Sequence, residues 1–513
     1  MHTAAPPPTR KAPSLEGDAR HLAAWLEGRE KLALLVLTLI YAAGAIWHAQ
    51  SKPLWYDEII TVIAASAPTT AGALHAAEQT DASPPLPHLL IHFAIGWFGK
   101  SDVAVRIPSM AAFWIFCLCM YRYVRRRAGI LYGLAALLLP MGTDAYAYSV
   151  EARGYAPELA FCGLALIGWQ AAAAHRKRAW GLAALAAGMA GAMLCHYYAV
   201  LLYVPLGGAE LYRWCRRREP DWFMGLAMAT GALPLAWRLS RIVQVVHGFT
   251  HTWARPYPEQ IPEFWETGLQ HSASFAVLLA GLLALTIIAG KRQYTGEWNP
   301  PEIPDHELLA GVLFLVIPAI GVAGALFVTH SLALRYLLPA LAGSVLLTPL
   351  IAACVTGGRA LPAFLLLVAA TLCLGYVTLE AAPRQDPFAA EPVLENALRR
   401  EPVVIPDGQL FLQMWYYAPA PLKSRLLFLA DDEAAHRYMG FDTIDGGLRT
   451  LRPWAPVRVV EYRDFAAPGR QFLIYQNELR PGWLLSKVID EGGTAEIRSY
   501  STFRALLQVH LKP

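Results

Sequence analysis

Two adjacent carboxylates, Asp57 and Glu58, stand in the stretch LWYDEIITVIAA, residues 54–65, directly after the first long apolar run of the chain. A carboxylate within hydrogen-bonding distance of a hydroxyl can act as a general base and take its proton. We expect Asp57 to have that role. Glu58 could orient Asp57, raise its pKa through like-charge repulsion, or bind a sugar. The pair therefore indicates acid–base chemistry at a place where a membrane-spanning helix should end.

The composition around this pair is that of a multispan membrane protein. Of the 513 residues, 56% are hydrophobic and 16% are charged, and the mean hydropathy is +0.35. Apolar stretches of about 15 to 22 residues recur up to residue 380, long enough to cross a hydrocarbon core of about 30 Å as helices. We therefore expect membrane lipids, and no nucleic acid, among the partners of this chain. The seven cysteines lie in or beside predicted spans and are interpreted as small buried hydrophobic residues.

The basic residues predict the orientation, because cytoplasmic loops carry an excess of Lys and Arg. Clusters occur at 125–127, 176–178, 213–218 and 291–292, and residues 1–31 are interpreted as a cytoplasmic tail. If every cluster is cytoplasmic, residues 32–380 form eleven crossings and residues 381–513 lie outside. The predicted spans are 32–49, 107–124, 130–141, 156–174, 181–194, 199–211, 222–239, 274–290, 308–328, 336–355 and 361–378.

The same parity argument predicts that residues 86–99 do not cross, but lie along the outer interface as an amphipathic helix in the first outer loop, 50–106. The remaining ionisable residues gather on the outer face, where charges at a membrane boundary are functional candidates. This pattern suits a reaction between a lipid-linked donor and an acceptor, and we favour a polyprenyl phosphate sugar as the donor. Such a reaction needs a base for the acceptor proton and cations for the departing phosphate.

The polar C-terminal part, 381–513, is predicted to be a small α/β domain. Six β-like runs alternate with turns and with two helical stretches, DGQLFLQMWYYA and DDEAAHRYMG. The runs are PVVIP, RLLFLAD, VRVVEYR, RQFLIYQ, GWLLSKVI and AEIRSY. Without a nucleophile elbow, a phosphate loop or metal-ligand spacing in this part, we expect it to bind the acceptor or to act as a lid.

An ordered set of motifs resembles a known family. These motifs are WYDEIITVIAA, DASPPLPHLLIHFAIGWFGKSDVAVRIPSMAAF, AYAYSVEARGYAPELAF, CHYYAVLLYVPLG and ALRYLLPALAG. Together they are similar to the GT-C membrane glycosyltransferases, and within these to glycosyltransferase family 39 and the lipid A aminoarabinose transferases. The resemblance implies a GT-C helical fold with juxtamembrane helices in the first outer loop. It also implies inverting sugar transfer from a polyprenyl phosphate at the periplasmic face of a bacterial inner membrane, with Asp57 as base and Glu58 beside it.

The resemblance also implies further site residues. Glu151 and Arg153 of EARGY would lie at the donor, and Arg335 of RYLLP would face the lipid phosphate. The aminoarabinose transferases have a basic residue before their Pro-Pro pair, whereas Ser83 stands there in this chain, so phosphate contact would fall on Arg153, Arg335 or Lys100. The candidate substrate contacts are His88, Tyr155, His196 and Tyr336.

Several alternatives stay open from the sequence. His88 and His92 have a spacing compatible with zinc, but no third ligand is evident, and no metal site is predicted. No cofactor is required, although a divalent cation bridged by Asp57, Glu151 and phosphate is compatible with the residues. A transporter or flippase of lipid-linked sugars is one rival function, and an O-antigen-type polymerase or ligase is another. The sugar and the acceptor, whether lipid, glycan or protein, are left open.

Overall fold

The computed structural model describes residues 15–248, 251–269, 300–380, 402–477, 482–501 and 504–513. The predicted span 274–290 lies outside the described residues. Up to residue 269 the α-helices are α1 (Leu15–Glu27), α2 (Glu30–Ser51), α3 (Tyr56–Ala65), α4 (Thr70–Thr80), α5 (Leu86–Phe98), α6 (Ile107–Ala128), α7 (Ile130–Leu138), α8 (Tyr155–Ala173), α9 (Arg178–Cys195), α10 (Tyr203–Arg217), α11 (Trp222–Gly231), α12 (Leu233–Trp237), α13 (Leu239–Gly248) and α14 (Gln260–Gly268). They are followed by α15 (Asp305–Gly324), α16 (Leu341–Val355) and α17 (Ala360–Glu380).

Short helical turns extend several of these helices at the ends nearest the acidic pair. The 3₁₀ segments are Ala104–Arg106, Leu139–Gly142, Asp144–Val150, Tyr197–Leu202 and Leu334–Ala340, and Ala325–Thr329 is a π-helical turn. Glu151 and Arg153 follow one of these turns, and Arg335 lies in another. The residues singled out by the motifs therefore lie mostly where regular helices start or end.

Seven helices in the described part of the chain are long and apolar enough to cross a membrane, or eight if one bent pair is a single span. The chain is therefore a multi-pass membrane protein. The seven are Glu30–Ser51, Ala104–Ala128, Tyr155–Ala173, Arg178–Cys195, Asp305–Thr329, Leu334–Val355 and Ala360–Leu379, all of which correspond to predicted spans.

The remaining predicted spans differ from regular crossings for local reasons. The segment starting at Ile130 bends by 73° at Thr143, between two helical pieces. The predicted span 199–211 starts as a 3₁₀ turn and continues as α10, whose buried Glu210 and Arg213 lower its hydropathy. The predicted span 222–239 is divided between α11 and α12, with Pro234 at the start of the second piece. Residues 86–98 form the helix α5, which is apolar but shorter than a span. Its position along the outer interface stays a prediction.

Helices α8 and α9 approach closely enough to fix the two segments that leave them. A Cβ built on Gly188 would lie 2.5 Å from the backbone nitrogen of Ala165, and one on Gly181 would lie 2.8 Å from that of Ala172. Small residues at a helix interface allow such contact between backbones in membranes. Tyr155 at the start of α8 and His196 after α9 are consequently held near each other, with ring centroids 5.7 Å apart.

The C-terminal part is a six-stranded mixed sheet with helices, as the α/β prediction required. Its strands are β1 (Val403–Val404), β2 (Leu426–Ala430), β3 (Val459–Glu461), β4 (Gln471–Asn477), β5 (Thr494–Ser501) and β6 (Arg504–His510). Its helices are α18 (Gly408–Tyr417), α19 (Ala420–Lys423), α20 (Asp432–Met439), α21 (Thr443–Thr450), α22 (Tyr462–Phe465) and α23 (Leu484–Asp490). The strand order is β3-β2-β1-β4-β6-β5. Strand β1 pairs in parallel with β2 and β4, whereas β6 is antiparallel to β4 and β5.

Two local predictions in this domain have clear outcomes. Asp407 caps α18 as expected, since its side chain accepts hydrogen bonds from the backbone nitrogens of Gln409 and Leu410 at 2.9 and 3.3 Å. The strand prediction for GWLLSKVI is wrong, because this run forms α23. Leu484 and Val488 are four residues apart, the spacing of one helical face, and both are buried.

The C-terminal domain packs directly on α3. Tyr56 and Ile59 of α3 share a hydrophobic core with Phe411 and Trp415 of α18. The backbone nitrogen of Leu54 also donates to the hydroxyl of Tyr417 at 2.6 Å, so hydrogen bonds and apolar contacts join the two parts. The helix that carries the acidic pair is therefore held by the soluble domain as well as by its neighbours in the membrane domain.

Candidate active site

Asp57 lies in the first turn of α3 and lines a cavity of about 490 Å³. One of its carboxylate oxygens is 3.1 Å from Nη2 of Arg335, although the two residues are 278 positions apart in the chain. Both side chains are partly exposed to the cavity, at 21% for Asp57 and 16% for Arg335. The structure thus brings the expected base and one expected phosphate-binding residue into contact.

Aromatic rings surround the guanidinium of Arg335. Its Cζ lies 5.2 Å from the ring centre of Trp55, 5.3 Å from that of Trp253, and 5.9 Å from those of Tyr155 and Tyr336. These distances are within the range of cation–π attraction. Nε of Arg335 also donates to the hydroxyl of Tyr155 at 2.8 Å. The arginine is held in place by rings and one hydroxyl, with its carboxylate partner in the cavity.

Arg153 forms the second cationic part of the cavity. Its Nη1 donates to Asp81 at 2.6 Å and to the hydroxyl of Thr61 at 2.7 Å, and its Nη2 lies 3.3 Å from the hydroxyl of Ser83. Its Nε is buried and has no hydrogen-bond partner among the described residues. Arg153 therefore ties α3 to the loop that carries Asp81 while it lines the cavity.

Asp81 was not among the predicted site residues, yet it lines the same cavity. Burial opposes its ionisation, but Arg153 and His88 outweigh that effect and hold the pKa of Asp81 well below its usual range. Nε2 of His88 is 3.4 Å from the Asp81 carboxylate, and His88 itself is buried behind Asp81 rather than part of the cavity lining. His88 thus supports the site through Asp81, whereas a substrate contact was expected of it.

His196 and Tyr336 lie together in the cavity wall, as expected for candidate substrate contacts. Their ring centres are 4.6 Å apart, and Nδ1 of His196 accepts a hydrogen bond from the backbone nitrogen of Tyr198 at 3.3 Å. Burial, assisted by Arg153 and Arg335, lowers the pKa of His196 to about 3. The imidazole is consequently neutral near pH 7 and adds no positive charge to the site.

Glu58 lies on the opposite side of α3 from the cavity. Its two carboxylate oxygens accept from Nε and Nη2 of Arg106 at 2.8 and 2.7 Å, and both side chains are fully buried. The backbone nitrogen of Ala152 donates to the same carboxylate at 2.7 Å, and that of Trp55 at 3.2 Å. These contacts place Glu58 as a residue that positions the start of α3, not as one that contacts a sugar.

Two expected donor contacts also lie outside the cavity lining. Glu151 is buried, and one of its oxygens accepts from Nζ of Lys52 at 2.6 Å. Lys100 is exposed, and its ammonium lies 6.0 Å from the ring of Tyr416 in the C-terminal domain. Among the described residues the cavity cations are Arg153, Arg335 and Arg241 of α13, and Glu151 and Lys100 lie apart from them.

Several further segments complete the cavity wall, among them α13, the loop before α14 and α21 of the C-terminal domain. Trp253 lies in the loop before α14, and Arg255 of that loop donates to the backbone oxygen of Gly440 in the C-terminal domain at 2.6 Å. Helix α21 of the C-terminal domain also lines the cavity, through Thr443, Ile444, Gly447 and Thr450. Neither the loop nor α21 carries a motif that sequence patterns alone would connect with Asp57.

Comparisons with known proteins agree on the kind of protein. Residues 82–237 match the family described as dolichyl-phosphate-mannose-protein mannosyltransferase. No curated protein sequence matches the chain significantly. The crystal structure of ArnT from Cupriavidus metallidurans bound to undecaprenyl phosphate is similar, with a TM-score of 0.54 and 12% sequence identity, over 92% of this chain and 97% of that one. The apo structure of the same ArnT gives a TM-score of 0.55 and 12% identity, over 93% of this chain and 98% of that one.

The fold is thus shared over nearly the full length of ArnT, including the C-terminal domain. The matched family segment extends from the loop that holds Asp81 to the end of α12, and it includes Arg153 and His196. These findings confirm the resemblance seen in the sequence motifs. The chain is a multi-pass membrane protein with an ArnT-like fold.

Proposed function

We propose that this protein is a glycosyltransferase that moves a sugar from a polyprenyl phosphate donor to an acceptor hydroxyl, with inversion at the anomeric carbon. The acceptor oxygen bonds to the anomeric carbon while the bond from that carbon to the phosphate oxygen breaks. The departing polyprenyl phosphate keeps the electron pair, and the acceptor proton passes to Asp57 as general base. Inversion follows because the acceptor enters on the face opposite to the phosphate.

The contact between Asp57 and Arg335 carries this proposal. Acceptor activation and phosphate stabilisation must occur a few ångströms apart, and here a carboxylate and a guanidinium are 3.1 Å apart in one cavity. Arg335 and the nearby Arg153 each offer planar N–H groups suited to phosphate oxygens. The donor class is supported by a similar structure, ArnT, which was crystallised with undecaprenyl phosphate.

We further propose that the cavity and the C-terminal domain lie on the periplasmic side of a bacterial inner membrane. The basic clusters at 125–127, 176–178 and 213–218 all fall at ends of spanning or membrane-domain helices, and Asp57 lies in none of those regions. The excess of basic residues in cytoplasmic loops then puts the Asp57 cavity on the opposite side. We also propose that the chain crosses the membrane eleven times. One of these crossings, 274–290, lies outside the described residues.

A divalent cation bridged by Asp57 and Glu151 does not fit this arrangement. Glu151 is held by Lys52 and does not line the cavity, so the two carboxylates do not converge. In the described residues there is no group of three or more His, Cys, Asp or Glu side chains placed to hold a metal ion. The proposed mechanism assigns the stabilisation of the phosphate to Arg153 and Arg335, which line the cavity with Asp57.

The test compares donors and variants in the purified full-length protein. Wild type should release sugar from undecaprenyl monophosphate donors but not from matching diphosphate donors; the reverse preference would indicate an O-antigen-type polymerase or ligase. Asp57→Asn should bind undecaprenyl phosphate as wild type does and lose transfer by a factor of about 10² or more. Glu433→Gln, an exposed carboxylate of α20, is the matched control and should keep full activity. Substantial turnover by Asp57→Asn would refute the assignment of the base.

A further inference from the structure

The cavity around Asp57 has a charged side and an uncharged side. Arg153, Arg335 and Arg241 of α13 come from the membrane domain, where a leaving phosphate would be stabilised. The residues that α21 contributes from the C-terminal domain are Thr443, Ile444, Gly447 and Thr450, none of which is charged. The two parts of the lining thus differ in the chemistry that they can recognise.

Helix α21 presents this uncharged surface because of its sequence spacing. Thr443, Gly447 and Thr450 are separated by four and three residues, which places them on one face of the helix. The charged residues of α21 are bound within the C-terminal domain. Asp445 accepts from the backbone nitrogen of Asp431 at 3.0 Å, and Arg449 forms two hydrogen bonds with Glu461 at 2.9 and 2.8 Å.

Contacts on both sides fix the position of this helix. Leu448 is fully buried in the core that the C-terminal domain shares with α3. On the cavity side, a Cβ built on Gly447 would lie 3.2 Å from the hydroxyl of Tyr56, the residue next to Asp57. The glycine therefore sets the width of the gap between α21 and the start of α3.

A polar group without a partner lies in the same wall. Oγ1 of Thr443 is buried and makes no hydrogen bond to any described residue. A buried hydroxyl without a partner is costly, by an amount comparable to a lost hydrogen bond, so such groups call for an explanation. The hydroxyl of Thr450, in contrast, donates to the backbone oxygen of Gly447 at 2.7 Å.

We propose that α21 is the acceptor-binding wall, with Thr443 hydrogen-bonding the acceptor. The acceptor that fits is a neutral, hydroxyl-rich glycan chain, because the residues of α21 in this wall offer a hydroxyl but no cation for a phosphate. This inference rests on the proposed function, since it takes Asp57 as the base that must face the acceptor. It assigns the choice of acceptor to the soluble domain and donor binding to the membrane domain.

The experiment separates the two half-sites in the full-length protein. Release of sugar from an undecaprenyl monophosphate donor to water reports the donor half-site alone, and transfer to neutral oligosaccharides from the cell envelope reports both. Thr443→Val should raise KM for the oligosaccharides by about tenfold and leave release to water within about twofold of wild type. Thr443→Ser, which restores the hydroxyl, should return KM close to the wild-type value.

Gly446→Ala is the matched control on the same helix, because a Cβ there would meet no atom within 4 Å. It should leave both reactions unchanged. The inference is overturned if Thr443→Val slows release and transfer equally, since that is a structural effect, or if Thr443→Val leaves KM unchanged. Transfer to a phosphorylated glycolipid alone would overturn the neutral character of the acceptor.

Failure of the proposed donor chemistry gives a different result. In that case wild type would release no sugar from any polyprenyl monophosphate donor. Equilibrium binding of the oligosaccharides without donor then tests the wall by itself. Weaker binding to Thr443→Val than to wild type and Thr443→Ser supports the wall, and equal binding to all three refutes it.

Discussion

Glu58 and Arg106 form a bidentate ion pair in which neither side chain is exposed. Glu58 is adjacent in the chain to Asp57, which faces the cavity. Arg106 also donates from Nη1 to the backbone oxygens of Ala49 and Lys52 at 2.8 and 2.6 Å. The pair thus joins the end of α2, the start of α3 and the start of α6. Its position makes Glu58 a support for Asp57.

Replacement of Glu58 by Gln should mainly reduce stability. Removal of one partner leaves Arg106 as a buried charge without its counter-ion, which costs about 3 to 5 kcal/mol of unfolding free energy. Thermal unfolding in detergent measures this loss. The double variant Glu58→Gln with Arg106→Met should be less destabilised than Glu58→Gln, because no unpaired charge remains. A Glu58→Gln protein with wild-type stability and no turnover would instead make Glu58 a catalytic residue.

Replacement of Arg335 by Lys should weaken donor binding before it affects folding. Lysine keeps the charge but loses the planar N–H groups that contact Tyr155 and Asp57 and that suit phosphate oxygens. A charge-assisted hydrogen bond contributes about 1.5 to 3 kcal/mol, so affinity for undecaprenyl phosphate should fall by about 10- to 150-fold. Equilibrium binding of the labelled lipid measures this, with the exposed Arg463→Lys as control. Unchanged affinity for the lipid would remove Arg335 from the phosphate site.

The stability of the C-terminal domain should depend on Asp445 between about pH 4 and about pH 7. Burial raises the pKa of Asp445 from 3.8 to about 7, although the backbone of Asp431, Trp483 and Arg449 oppose the rise. Because the folded state holds this proton more tightly, the contribution of Asp445 to stability is greatest at low pH and declines as the pH rises to about 7. Above that value it stays constant.

Asp445→Asn removes this dependence. The difference in unfolding temperature, variant minus wild type, should increase as the pH is raised from about 4 to about 7. Asp464→Asn, at an exposed position, should give a difference that is flat with pH. A difference for Asp445→Asn that does not change with pH would show that the buried carboxylate has an ordinary pKa.

Substitution of Gly188 by Ala should separate α8 from α9. The added Cβ would lie 2.5 Å from a backbone atom of α8, which cannot move away as a flexible side chain could. Overpacking of this kind costs about 1 to 3 kcal/mol, and it should also move His196 relative to Tyr155. Gly207→Ala in α10, with no atom within 4 Å of the new Cβ, is the control. Equal unfolding temperatures for the two variants would contradict the close packing of α8 on α9.

Sequence motifs were sufficient to group Asp57, Arg153 and Arg335, because each is the charged member of a short motif near a helix end. They indicated Asp57 as the base but left the role of Glu58 open. Side chains of adjacent residues in an α-helix point about 100° apart. Because α3 begins at Tyr56, Asp57 faces the cavity and Glu58 faces the core. That start depends on the packing of Arg106, which is 48 positions away.

Other sequence-based expectations differ from the structure where packing between distant segments decides which side chains meet. Lys100 was a reasonable phosphate contact by charge, but its ammonium lies 6.0 Å from the ring of Tyr416 in the C-terminal domain and outside the cavity lining. The role of α21 was not predictable from its residues, since TIDGGLRT has no catalytic motif and acquires a place in the cavity only through domain packing. For the same reason Trp253 could not be assigned as a neighbour of Arg335.

The shared core between α3 and the C-terminal domain has a consequence for biogenesis. A nascent chain that has inserted all of its spanning helices still lacks the apolar partners of Tyr56 and Ile59, which come from α18. The segment with Asp57 can thus take its final form only after the downstream domain has been synthesised and has folded. Maturation of the enzyme is therefore a late event, and a protein truncated before α18 would be inserted in the bilayer but inactive.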